Sequence, residues 1–316
     1  MSAAVLLSAA LFAFGLWLTM RGGDAFVDAS CVIARVSGVP QVVIGATIVS
    51  LCTTAPELTV SLLATLHGAA DLAIGNAVGS AACNISLILG LIALFAPPKF
   101  DRRDARARGG LLLVTLMVLG TTTVDGVLGL VECGVLSLLL ILFLCCNLRS
   151  VSMLSDQKLA RPHLDGGQKA GLALRFVLGA GGVVLGARLL VDNAAALARF
   201  AGISETVIGL TLVAIGTSLP ELVTALTAIR RREGALSVGN IIGANIIDLA
   251  LVLPVCALAN GGTLPISSLC STRDLPVTLI LTAVALLPTM FTGRFHRMQG
   301  FGLLVLYGAY TAALLT

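Results

Sequence analysis

The chain has 316 residues, of which 57% are hydrophobic and 11% charged, with a mean hydropathy of +1.03 and a formal net charge of +4. Soluble domains carry about 25% charged residues, and a water-soluble chain of this size has no means of hiding so much apolar surface. Soluble catalysis, nucleic-acid binding, collagen, disorder and a disulfide scaffold therefore fail as readings, the last because the eight cysteines sit mostly in apolar runs without CxxC or Cys/His spacing. What remains is an all-α polytopic membrane protein.

Apolar segments bounded by charges fall at about 2–20, 37–66, 71–96, 109–124, 127–147, 170–192, 203–229, 234–259, 275–292 and 298–315, which gives ten spans. No basic region precedes 2–20, so it reads as a retained span and not a signal peptide. The second and seventh spans are long, and each holds a proline mid-run, Pro56 and Pro220. Proline deletes a ladder hydrogen bond and clashes with the preceding turn, so both helices should break. A tight turn at Asp125–Gly126 joins spans four and five. The polar stretch 149–169 reads as a cytoplasmic linker between two five-span halves, 1–148 and 170–316.

Basic residues orient these spans. The junctions after spans one, three, five, seven and nine receive 2, 5, 5, 3 and 2 of the 20 lysines and arginines, against three on the other side. Positive charge stays cytoplasmic, which puts both termini outside. Five spans per half also make the second half enter the membrane opposite to the first, so any repeat between them is inverted.

Such a repeat exists. Residues 45–58, GATIVSLCTTAPEL, match 209–222, GLTLVAIGTSLPEL, at an offset of 164 with seven identities in fourteen. The same offset aligns 75–90 with 239–254, including Gly75, Asn76 and Gly79 with Gly239, Asn240 and Gly243. The two GxxxG pairs read as close helix contacts. Inverted repeats with helices broken at mid-membrane belong to secondary transporters, whose site lies where the repeats meet.

Of sixteen acidic residues, Glu57, Glu221 and Asp248 lie deep in apolar runs, and no lysine or arginine lies as deep. An unpaired carboxylate at a bilayer centre costs about 3 kcal/mol or more, so cations that the sequence does not encode must neutralise them. Thr53, Thr54, Thr217 and Ser218 offer hydroxyls one turn before each glutamate. The breaks are expected to free the carbonyls of Ser50, Thr53, Ala214 and Thr217. Asn84 and Asp248 each follow their own glutamate by 27 residues and add a side-chain oxygen. An all-oxygen set selects hard cations such as Na⁺ or Ca²⁺, and two facing glutamates carry the charge of −2 that suits one Ca²⁺ or a few Na⁺.

The runs TTAPEL and TSLPEL, with GNAVGSAACN and GNIIGANIID, resemble the repeats of the cation/calcium exchanger superfamily, in particular prokaryotic sodium/calcium exchangers. The resemblance covers the ten-span plan, its specific part being about 60 residues in the two repeats. It implies Na⁺-driven Ca²⁺ antiport by alternating access in a prokaryotic inner membrane, with spans one and six sliding as a pair. Its central ligands carry over to Glu57 and Glu221, flanked by Thr53, Thr54, Thr217, Ser218, Ser80, Asn84 and Asp248. Ca²⁺ and Na⁺ (or H⁺) are cargo; no cofactor and no nucleic acid is expected, and the chain is read as a lipid-embedded monomer. Three positions depart from the pattern: Cys52 stands opposite Gly216, Ala81 opposite Asn245 and Ala244 opposite Ser80. H⁺/Ca²⁺ antiport by the same fold is the alternative, favoured by Ala244 and Asp248. A cation channel fits an occluding repeat interface poorly, and an aspartyl protease would need a second deep aspartate.

Overall fold

A computed structural model describes residues 3–122, 125–155, 164–201 and 214–314. Residues 209–213 of the second repeat and 156–163 of the linker lie outside the described residues. The first helix, α1, runs over Ala3–Ser37, well past the span end expected at 20. Nothing between Arg21 and Ser37 stops the helix, and both of its aspartates find partners elsewhere in the chain. Asp24 pairs with Arg230 and Arg231, and Asp28 with Arg175 and Arg231. The helix stops where Gly38 takes a positive φ of 71°.

Residues Gln41–Thr53 (α2) and Ala55–Leu66 (α3) form a span bent by 42°. Leu72–Phe95 is α4, Gly110–Thr122 is α5 and Leu130–Ser155 is α6. A capping box of Asp165 and Gln168 opens α7, Gly166–Phe200, a helix longer at both ends than the expected 170–192. Ala214–Thr217 (α8) and Leu219–Arg230 (α9) repeat the break. Gly234–Ala259 (α10), Cys270–Thr292 (α11) and Arg297–Leu314 (α12) complete the chain. Among the described residues six helices are long and apolar enough to cross a membrane, seven with the bent pair.

The sequence offset of 164 is also an offset in structure. Ala55–Leu66 corresponds to Leu219–Arg230, and a wide π turn at Asn84–Ile88 inside α4 corresponds to one at Asp248–Val252 inside α10. Helices α1 and α7 correspond likewise and run antiparallel. A Cβ placed on Gly22 would lie 2.6 Å from Val183 N, one on Gly179 2.6 Å from Phe26 N, and one on Gly15 2.9 Å from Leu189 Cβ. Their backbones touch, while Leu6, Leu7, Phe14 and Trp17 of α1 and Val177 and Leu178 of α7 stay exposed, as lipid-facing surface does.

The junctions sort into two ends. At one, Asp24, Arg175 and Arg231 meet, Gly234 packs on Pro98, and Lys99 bridges to Arg294. At the other, Val127–Leu128 (β1) pairs antiparallel with Leu264–Pro265 (β2), beside the turn at Gly126. Helix α10 connects the two ends through the centre. It is buried over nearly its whole length and mostly apolar, its polar residues Ser237, Asn240, Asn245 and Asp248 being buried with the rest. The core gathers Ile74, Ile85 and Leu89 of α4, Ile241 and Ile246 of α10, and Leu281 of α11.

Candidate functional site

The two helix breaks fall at corresponding residues. Thr54 has φ −81° and ψ −3°, and Ser218 has φ −86° and ψ 4°, each two residues before its proline at the start of the next helix. Proline is tolerated in a first turn because the N–H it lacks has no helical acceptor there. Glu57 and Glu221 follow directly, each in the first turn of its new helix, where the positive end of the helix dipole favours an anion. The break therefore builds the carboxylate position.

Helix α10 supports the first break from behind. Gly239 and Gly243 let α2 cross it in backbone contact: a Cβ on Gly243 would lie 2.6 Å from both the Ala46 carbonyl oxygen and Ser50 Oγ. The expected close contact at this GxxxG is thus present. For Gly75 and Gly79 the corresponding partner segment lies outside the described residues. Gly216, the counterpart of Cys52, abuts the Val191 side chain of α7, so the second break has no room for the larger residue.

Glu57, Glu221 and Asp248 are fully buried. Glu57 lies within electrostatic reach of both other carboxyls, and Asp248 within reach of Glu221. Thr54 Oγ1 donates to Glu221 Oε1 at 3.4 Å, across the two halves. Thr53 Oγ1 stands 3.3 Å from Asn240 Oδ1 and 3.3 Å from the Ser50 carbonyl oxygen, either of which takes its one proton. Asn84 and Asp248 are the first residues of the two π turns, a local widening that recurs at functional sites. Asn84 Nδ2 donates to Asn245 Oδ1 at 2.9 Å, again across the halves.

Among the described residues, both Glu57 carboxylate oxygens, Glu221 Oε2, both Asp248 oxygens and Asn84 Oδ1 have no hydrogen-bond partner. The buried hydroxyls of Thr217 and Ser218 have none either. No three His, Cys, Asp or Glu side chains among the described residues form a metal-binding group; carboxylates here alternate with neutral oxygens. Buried oxygens without donors are costly, and one hard cation satisfies several together.

The remaining expected residues divide. Ser80 is buried one turn before Asn84 on α4, and Ala214 opens α8. The Ser50 carbonyl is not freed: it accepts from Thr54 N at 2.9 Å, and Ser50 Oγ donates to the Thr47 carbonyl at 3.1 Å. The reason is positional. Pro56 withdraws the donor that would have served residue 52, four positions earlier, and leaves the bond to Ser50 intact. Two polar residues at the site were not among the expected ligands. Asn240 and Asn245 are completely buried and bond to Thr53 and Asn84. The shared Gly-Asn pair at 75–76 and 239–240 was the signal available for the first of them.

The sodium/calcium exchanger protein family matches residues 7–149 and 171–316. The inner membrane protein YrbG of Escherichia coli (strain K12) is 40% identical over 291 residues, 89% of this chain and 88% of that protein. The sodium/calcium exchanger MaX1 of Methanosarcina acetivorans is 29% identical over 95% of this chain and 96% of its own. A solved structure of the sodium-calcium exchanger NCX_Mj, soaked with 2.5 mM Na⁺ and 10 mM Sr²⁺, superposes with a TM-score of 0.85 at 33% identity. It covers 98% of this chain and 99% of its own.

Proposed function

This chain belongs to the sodium/calcium exchanger protein family, and we propose that it exchanges Na⁺ for Ca²⁺ by alternating access. It is an integral membrane protein of a cation/Ca²⁺ exchanger family, a transporter family. The observation that carries the reading is the pair Glu57 and Glu221, buried at matching breaks, with three of their four carboxylate oxygens partnerless and no ion pair to either among the described residues. Their joint charge of −2 offsets the dehydration of one Ca²⁺. The hydroxyls of Thr53, Thr54, Thr217 and Ser218, with Ser80, Asn84 and the carbonyls of Thr53, Ala214 and Thr217, suit Na⁺ in the alternate loading.

Na⁺ is preferred to H⁺ as driver because this site is rich in neutral oxygens, which a proton-only carrier does not need. The H⁺ reading keeps one specific support, an Asp248 without a hydrogen-bond partner among the described residues, one turn after an Ala244 that lacks the hydroxyl of Ser80. Purified protein in Ca²⁺-loaded vesicles separates the two. An imposed Na⁺ gradient should drive Ca²⁺ flux, whereas flux driven by a pH gradient alone, with Na⁺ inert, refutes Na⁺ coupling.

In this reading the chain has ten spans in two inverted halves, with α2–α3 and α8–α9 as the broken second and seventh. Helices α1 and α7 slide as the gate, and the chain works as a monomer without a cofactor in a prokaryotic inner membrane. The basic junctions face the cytoplasm and both termini lie outside. A cysteine placed at 125 should then react with an impermeant reagent from outside only; labelling from the cytoplasm reverses the orientation.

A further inference from the structure

Helices α1 and α7 have 35 residues each, about 52 Å at 1.5 Å per residue, against a hydrocarbon core of about 30 Å. One end of the pair therefore stands in the headgroup layer. The chain's one tryptophan marks the depth. Trp17 is exposed beside exposed Phe14, their ring centroids 5.8 Å apart, and exposed Arg21 follows one turn later on the same face. Tryptophan collects at the membrane–water interface, and a long basic side chain reaches its headgroups.

Beside these residues a groove of 400 Å³ runs between α1 and α7. Gly22 and Gly179, where the two backbones meet, line it between the helices. Leu18 and Leu178 wall it, and its charged lining is Arg21 and Arg175. The charge at this end of the pair does not balance. Arg230 and Arg231 occupy Asp24, while Arg175 and Arg231 occupy Asp28. Arg21 is left without an acidic partner among the described residues. A guanidinium at that depth suits a phosphate oxygen, and the leucine walls beneath it suit an apolar chain.

We propose that this groove binds an anionic phospholipid, its phosphate on Arg21 and Arg175 and an acyl chain along Leu18 and Leu178. Free phosphate would leave the walls uncovered; a lipid covers both parts. The site lies on the outer flank of the helix pair, apart from the buried carboxylates, and it rests on the membrane setting alone, so it stands whichever ion drives exchange.

The test uses the full chain in neutral detergent, titrated with phosphatidylglycerol or phosphatidylcholine, with bound lipid counted by native mass spectrometry. Phosphatidylglycerol should be retained in preference to phosphatidylcholine. Arg21→Gln should weaken its retention about fivefold, the equivalent of about 1 kcal/mol per basic residue at an anionic surface. Arg21 has no ion pair to lose among the described residues, so this variant should melt at the wild-type temperature. Arg188→Gln, on α7 but outside the groove, should retain lipid as the wild type does. Equal retention of the two lipids, or an unchanged Arg21→Gln, overturns the site. Complete displacement of phosphatidylglycerol by millimolar inorganic phosphate overturns the lipid as its ligand.

Discussion

Removing the side chain of Asn245 should weaken Ca²⁺ binding without touching a carboxylate. Asn84 Nδ2 donates to Asn245 Oδ1 at 2.9 Å, both residues are completely buried, and Asn84 Oδ1 has no partner among the described residues. The bond commits the donor end of the Asn84 amide to protein and leaves its oxygen as the end available to an ion. In Asn245→Ala the stranded N–H groups cost about 1–3 kcal/mol, which the amide recovers by turning its donors toward the acceptor-rich carboxyls. It then presents N–H where a cation needs oxygen, and Ca²⁺ binds only by reversing that turn. Half-saturating Ca²⁺ should rise roughly five- to a hundredfold, a tenfold step being about 1.4 kcal/mol, with the maximal rate within about twofold. The assay is the concentration dependence of Ca²⁺ uptake into Na⁺-loaded vesicles, with melting temperature as the control for folding. A folded variant with half-saturation unchanged would refute the role given to Asn245.

The carboxylates and their neighbours give further expectations. Glu57→Gln and Glu221→Gln should each abolish Ca²⁺ exchange while the protein stays monodisperse, since each removes half of the charge of −2; normal exchange in either ends the two-glutamate site. Asp248→Asn should keep Ca²⁺ exchange, because the corresponding Asn84 is already a neutral amide and a third negative charge is the least favourable to hold beside two others; loss of all transport makes Asp248 an obligatory ligand or proton carrier. Ala244→Ser should strengthen Na⁺ competition against Ca²⁺ by about 1 kcal/mol, the worth of one polar contact, and an unchanged half-inhibiting Na⁺ concentration removes position 244 from the Na⁺ site.

The parts of this molecule legible in the sequence are those that repeat. Pro56 and Pro220 at one offset, each with a glutamate next to it, located both breaks and the buried glutamate in the first turn after each, because proline's missing N–H acts locally and needs no tertiary knowledge. The length of α1 was not legible. Arg21, Asp24, Asp28 and Arg35 look like the end of a span, yet the helix continues through them because Arg175, Arg230 and Arg231 arrive from more than 140 residues away to pair with its aspartates. Nor were the π turns at Asn84–Ile88 and Asp248–Val252: one additional residue in a turn leaves no mark on hydropathy, and only the recurrence of its position shows that it belongs to the site.

Within this doubled backbone the side chains part company, and the difference bears on which ion is carried. Asn245 holds Asn84, but its counterpart is Ala81, which has no amide to offer Asp248 at the matching point. Asp248 accordingly keeps two partnerless oxygens among the described residues while Asn84 keeps one. Identical turns thus carry a fixed neutral oxygen in one half and a loosely held carboxyl in the other. A cation that needs several oxygens at set distances gains from the fixed amide. A small cation, or a proton, is served by the carboxyl alone. Under the proposed exchange, the choice of driving ion therefore turns on the unmatched residues Ala81, Ala244 and Asp248 and not on the paired glutamates, which in that proposal hold Ca²⁺ in either case.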